Sequence, residues 1–96
     1  MNTPAEIENK LKEIKPFLKE NFFVSRIGYF GSFANNTYKE ASDIDVIVDF
    51  NGKVGWKFFD LKDYLETVLE RRVDLVTSAS LKKQWRQAIL QQVRYI

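Results

Sequence analysis

Asp43 and Asp45 stand two residues apart at the head of an apolar run, and Ser42-Asp43-Ile44-Asp45 follows Gly31-Ser32 by ten residues. In an extended strand, side chains at i and i+2 point the same way, so the two carboxylates share one face, roughly 6 to 7 Å apart along the backbone. Two acids held that close call for a cation between them. The Gly31-Ser32 pair suits an anion, because glycine lets a phosphate come close to the chain and successive backbone N–H groups can point at it. Asp74, inside the apolar segment Arg72-Val73-Asp74-Leu75-Val76, is a third acidic residue where a strand would normally exclude one. The chain has no Cys and no His, so thiolate nucleophiles, disulfides, Cys/His zinc sites and imidazole bases are excluded. Chemistry must rest on carboxylates, hydroxyls and amines, and hard oxygen ligands favour Mg2+ or Mn2+.

The elements that must position these residues can be read from start signals and periodicity. Thr3 as N-cap, Pro4 at the first helical position and Glu6 form a capping box. The helix that follows carries the stripe Ile7, Leu11, Ile14 and Leu18, with Pro16 a residue that could kink or divide it. Val24 to Phe30 reads as a strand ending at Gly31-Ser32, and Asn35-Asn36-Thr37 as the end of a very short helix. From Asp43 to Phe50, Ile44, Val46, Val48 and Phe50 line one face, while Asp43, Asp45, Ile47 and Asp49 line the other. Phe58, Leu61, Leu65, Val68 and Leu69 mark a helix ending near Glu70, and Arg72 to Val76 a third strand. Ser80 is expected to cap a final helix with the stripe Leu81, Trp85, Ala88, Ile89 and Val93 packed into the core.

The predicted order is α, β, short α, β, α, β, α, an α/β (α+β) fold with a small mixed three-stranded sheet flanked by helices. The short link between the first two strands predicts an antiparallel pair, and the helical crossover to the third a parallel one. That pairing would set Asp74 beside Asp45, and three carboxylates would converge.

The motifs Gly31-Ser32-Phe33-Ala34-Asn35, Ser42-Asp43-Ile44-Asp45-Val46-Ile47-Val48 and Arg72-Val73-Asp74-Leu75-Val76 resemble those of the minimal nucleotidyltransferases, members of the DNA polymerase beta-like superfamily that include the MntA-type antitoxins. The resemblance spans Arg26 to Val76. It implies attack of an acceptor hydroxyl on the α-phosphorus of ATP, with two Mg2+ (or Mn2+) ions held by Asp43, Asp45 and Asp74. Asp43 and Asp45 would bridge both ions, while Asp74 would hold one and help deprotonate the acceptor. Gly31 and Ser32 would grip the β- and γ-phosphates. Many relatives carry Arg-Gly where this chain has Asn35-Asn36, so Lys39 or Lys53 is a candidate substitute cation. Minimal members pair with small helical HEPN toxins and attach AMP to a toxin tyrosine, which makes such a toxin the implied partner.

Length and composition agree with this scale. The 96 residues fit a single domain, 1–96, and an open site. Eight Phe and two Trp exceed what so small a core can hide, so a partner surface or a homo-oligomer is expected. The net charge of +2 is spread without long basic runs, so direct nucleic-acid binding is not expected. Met1-Asn2-Thr3-Pro4 leads straight into a charged helix, with no apolar signal core and no membrane span, which predicts a cytoplasmic protein.

Plainer readings stand beside these. Asp43 could serve turn chemistry, Gly31-Ser32 could be only a turn, and Asp74 could pair with Arg71 or Arg72. Asp49, roughly 13 Å along the strand from Asp45, is too far for the same ion and is expected to be solvated, as are Asp60 and Asp63. Trp85 and Tyr95 could face a partner. Two other functions remain open: a non-catalytic module that neutralises a partner by contact, and a subunit that adenylylates a small molecule.

Overall fold

In the computed structural model, which describes residues 3–96, Thr3 caps α1 (Pro4–Phe22): its side chain accepts from the Glu6 N–H at 3.2 Å and donates to the Glu6 carboxylate at 3.1 Å. Met1 and Asn2, part of the predicted N-terminal reading, lie outside the described residues. Helix α1 runs unbroken through Pro16 and buries Ile7, Leu11, Ile14 and Leu18. It ends at Phe23, whose left-handed backbone (φ 57°) turns the chain into β1 (Val24–Phe30). A four-residue helix, α2 (Ser32–Asn35), leads to β2 (Ile44–Phe50), then α3 (Lys57–Leu69) and β3 (Val73–Thr77).

β1 pairs with β2 antiparallel and β2 with β3 parallel, as connection length predicts. Helices α1 and α3 cover one face, where Leu61, Leu65 and Leu69 meet Ile27, Tyr29, Ile44, Val46, Val48, Val73 and Leu75 in one apolar core. Tyr29 is fully buried, and its hydroxyl donates to the Glu8 carboxylate at 2.6 Å. Burial and this acceptor push its pKa up to about 12.

Three expectations are corrected. The sheet has four strands, ordered β3-β2-β1-β4, because Arg94–Tyr95 adds a short antiparallel strand, β4, beside Gly28 and Tyr29. Ser80 does not cap the last helix. It closes a 3-10 turn, Ser78–Ser80, against Thr77, and α4 (Lys83–Gln92) starts after Lys82. Nor does that helix pack into the core: no residue of α4 is buried, Trp85 is 58% exposed, and Val93 lies beyond its end. A stripe at helical spacing specifies a helix with an apolar side, but the rest of the chain already fills both α1 and α3 against the sheet and leaves α4 uncovered.

Among the described residues no helix is long and apolar enough to cross a membrane.

Candidate active site

Strand register places the acids. Asp45 lies opposite Asp74 of β3 and opposite Phe30 of β1, the residue before Gly31. Paired residues project to the same side of a sheet, so Asp45 and Asp74 share the face away from the α1 and α3 core. Asp43 precedes β2 and is exposed, as is Asp74, while Asp45 is half-buried. Burial first, then the charges of Asp74 and Asp43, push the Asp45 pKa up from 3.8 to about 6, and a hydrogen bond with Asp74 adds to the shift. Asp45 therefore lies within electrostatic reach of both Asp74 and Asp43. Ile47, on the same face two residues on, is fully buried beside Gly28 and Val76, so the acidic face is not solvated along its whole length.

Gly31 sits against Asp45. A Cβ at position 31 would collide with Asp45 Oδ2, and the residue holds φ 69°, a left-handed conformation that favours glycine. Its carbonyl starts α2 by accepting from the Asn35 N–H at 2.9 Å, and Ser32 is the first helical residue. Asn36 closes α2 with φ 61°, another left-handed position, where asparagine is the best tolerated residue after glycine. Asn35 donates to Gln92 of α4 at 3.3 Å.

The loop carrying Asp43 is pinned from both sides. The Ser42 hydroxyl accepts from the Lys39 N–H at 2.8 Å, and the Ile44 N–H donates to the Arg72 carbonyl at 2.9 Å. Arg71 Nη1 donates to the Glu40 carbonyl at 2.6 Å and the Ser42 carbonyl at 2.8 Å, with its guanidinium 5.2 Å over the Phe33 ring. Phe33 stacks on Tyr38 at 4.6 Å. Arg71 is therefore a clamp on the Asp43 loop. The sequence offers Arg71 only as a partner for Asp74, and nothing in the spacing points to a contact with Glu40 and Ser42.

Two other expectations change. Asp49 is not simply solvated, since Arg26 meets it at 3.0 Å and also lies over the Tyr95 ring at 4.2 Å. Lys53 follows β2 at the end of the sheet opposite Asp43, so it is not placed to serve as the substitute cation beside Gly31 and Ser32. Asp60 and Asp63 are exposed, as expected.

Residues 11–96 match the Nucleotidyltransferase domain family. The chain belongs to that family. A nucleotidyltransferase of Thermococcus cleftensis named protein adenylyltransferase MntA is 43% identical over 97 residues, covering 100% of this chain and 98% of the relative. A solved candidate minimal nucleotidyltransferase superposes with a TM-score of 0.83 at 26% identity, covering 98% of this chain and 95% of the other. A toxin-antitoxin structure with AMP-PNP matches with a TM-score of 0.73 at 28% identity, over 92% of this chain and 70% of that one. The mixed sheet flanked by helices is the minimal nucleotidyltransferase fold.

The donor set of this nucleotidyltransferase suits divalent ions. Asp45 is paired in register with Asp74, and the negative charges of Asp74 and Asp43 act on its carboxylate, a repulsion that a cation would relieve. Among the described residues no group of three or more acidic side chains is placed to hold a metal ion, so the expected gathering of Asp43, Asp45 and Asp74 around one ion is not formed by these side chains alone. Mg2+ is ordinarily held by one or two carboxylates together with water and substrate phosphates, so an open cluster fits.

Proposed function

We propose that this chain transfers AMP from ATP to a tyrosine hydroxyl of a small helical HEPN-type toxin and serves as the antitoxin of that pair. The register that sets Asp45 against Asp74, with Gly31 packed on Asp45, carries this reading. The named activity of the Thermococcus cleftensis relative and the toxin-antitoxin structure with AMP-PNP support the substrate and the partner.

Asp43, Asp45 and Asp74 would hold two Mg2+ ions, which when bound stabilise the attacking and departing oxygens of an in-line displacement. Backbone N–H groups at Gly31 and Ser32, with the Ser32 hydroxyl, hold the β- and γ-phosphates at the end of β1. Asp74 takes the proton of the tyrosine hydroxyl as its oxygen bonds to the α-phosphorus. The bond from that phosphorus to the bridging oxygen breaks, and pyrophosphate leaves.

Mass spectrometry of the toxin after incubation with this chain, ATP and Mg2+ tests the assignment: AMP on a tyrosine is expected. Neutralisation by contact alone is the second reading, favoured by Asn35, whose side chain binds Gln92 where many relatives carry an arginine. A stable complex with no mass added would select it.

A further inference from the structure

Four of the six large apolar side chains exposed among the described residues gather where the end of α1 meets the start of α3: Trp56 is 83% exposed, Phe59 55%, Phe17 45% and Phe23 44%. Lys57 Nζ joins the two helices, donating to the Asn21 carbonyl at 3.1 Å and lying 4.7 Å over the Phe23 ring. The other rings have neighbours too. Phe17 stacks on Tyr64 at 5.0 Å, and Phe59 meets Trp56 at 5.8 Å and Phe58 at 5.5 Å. Rings held this way lose little freedom when a second surface covers them.

This surface is remote from the acids. Val24 at the start of β1 pairs with Phe50 at the end of β2, whereas Asp45 and Asp74 pair at the other end, about 20 Å away at strand rise. A protein that brings a hydroxyl to Asp45 and Asp74 has no need of these rings. Their exposed fractions leave roughly 400 to 500 Å² of aromatic surface on each copy, or about 800 to 1,000 Å² when two are brought together. A specific interface starts at about 1,200 Å², so two such patches with their polar rims suffice. The rim is also self-complementary. Asp60 lies one turn after Trp56 and Asp63 one turn after Phe59, while Lys19 and Lys53 precede Phe23 and Trp56. All four charges are exposed, and none is in an ion pair among the described residues. A rim with both signs can satisfy itself across a two-fold axis. Around Trp85, by contrast, stand Lys82, Lys83 and Arg86, and residues 78–96 contain no acid, so two copies of that face would repel.

We propose that this aromatic end is the interface of a symmetric homodimer, in which Trp56 and Phe59 of one copy pack against the same rings of the other, and Asp60 and Asp63 of each copy face Lys19 and Lys53 of the other. The two-fold axis passes through the patch, so both acid clusters point away from it and stay open. Nothing in this pairing depends on the adenylyltransferase reading.

Sedimentation equilibrium of the intact chain between about 1 and 300 µM tests it, the range in which a small interface assembles. The mass should rise from one chain to two. Trp56→Ala with Phe59→Ala should raise the dissociation constant about tenfold or more, as loss of central aromatic anchors does, while Trp85→Ala leaves it unchanged. Asp60→Lys with Asp63→Lys should keep one variant monomeric, and Lys19→Glu with Lys53→Glu a second. Mixed in equal amounts, the two should dimerise again, which chains that had merely lost their fold would not do. A single-chain mass at every concentration overturns the proposal, and so does a mixture of the two charge variants that stays monomeric. A dimer that withstands the Trp56 and Phe59 substitutions but is lost in Trp85→Ala also overturns it, placing the interface on α4. Gel filtration with the HEPN-type toxin separates the remaining occupant: the Trp56→Ala, Phe59→Ala chain should bind the toxin as the unsubstituted chain does, and loss of that complex would assign the rings to the toxin and overturn the dimer. If neither chain binds the toxin or adds AMP, the adenylyltransferase reading fails, while the sedimentation measurement still decides the dimer by itself.

Discussion

Asp45 is half-buried and faced by Asp74 and Asp43, so its ionisation, which the proposed metal-holding role needs, costs the fold stability. Its folded pKa of about 6 exceeds its ordinary value of 3.8, and between these the folded chain binds more protons than the unfolded one. Stability from this group is therefore full below the lower value and is lost as pH rises through the upper one. Thermal unfolding of the metal-free chain should show a higher Tm near about pH 4 than near about pH 7 from this group, a difference reduced by solvent screening because Asp45 is half-exposed. Mg2+ should recover the loss at the higher pH. Asp45→Asn should flatten this pH dependence and raise Tm at neutral pH, while AMP transfer falls by about a thousandfold or more as the ion ligand disappears. Gly31→Ala should act differently, since its Cβ collides with Asp45 in a left-handed backbone: about 1 to 3 kcal/mol of stability is lost, by chemical denaturation, together with activity. The acids were legible in the sequence because Asp45 and Asp74 interrupt apolar strands that have no other use for a charge. The tight seat of Gly31 on Asp45 was not legible, because it depends on how the end of β1 and the start of β2 cross in space.

At the scale of elements, three strands and their directions followed from alternation and connection length, and α1 and α3 from their stripes. Strand β4 had no comparable signal. Two residues, Arg94 and Tyr95, make a strand only because Gly28 leaves room: a Cβ there would lie 2.7 Å from the Arg94 carbonyl oxygen and 2.8 Å from Val93 Cγ1. Gly28→Val should therefore detach the C-terminal segment, seen as faster amide exchange at Tyr95 and Ile96. The Asp43 loop depends on Arg71 in a similar way. Arg71→Ala removes donors to the Glu40 and Ser42 carbonyls, and should cost about 1 to 3 kcal/mol with faster amide exchange at residues 40–43. Arg71→Lys should restore only part of this, because a lysine cannot fork to two carbonyls with the same planar geometry. In the core, Leu65→Ala should cost about 2 to 5 kcal/mol by leaving a cavity between α3 and the sheet.

Across the whole molecule, the excess of aromatic residues over the capacity of one small core was visible in composition, but composition could not say which rings would be left outside. Phe17 and Phe23 are exposed at the end of α1, and Trp56 and Phe59 at the start of α3, at the end of the sheet opposite the acids. Trp85 and Tyr95 form a separate exposed pair of positions on α4 and β4. Binding and chemistry should thus be separable: a chain with both Asp43→Asn and Asp45→Asn should still co-elute with the proposed HEPN-type toxin in gel filtration while adding no AMP. Loss of the complex in that variant would tie recognition to the metal site. Helix α4 has ten residues and none is buried, too short a segment to hold its own hydrogen bonds in water. It should open far more often than the rest, and a protease reaching it would sever β4 from the sheet. The solitary chain would then be the short-lived form, and its abundance in a cell would be set by how quickly it finds company.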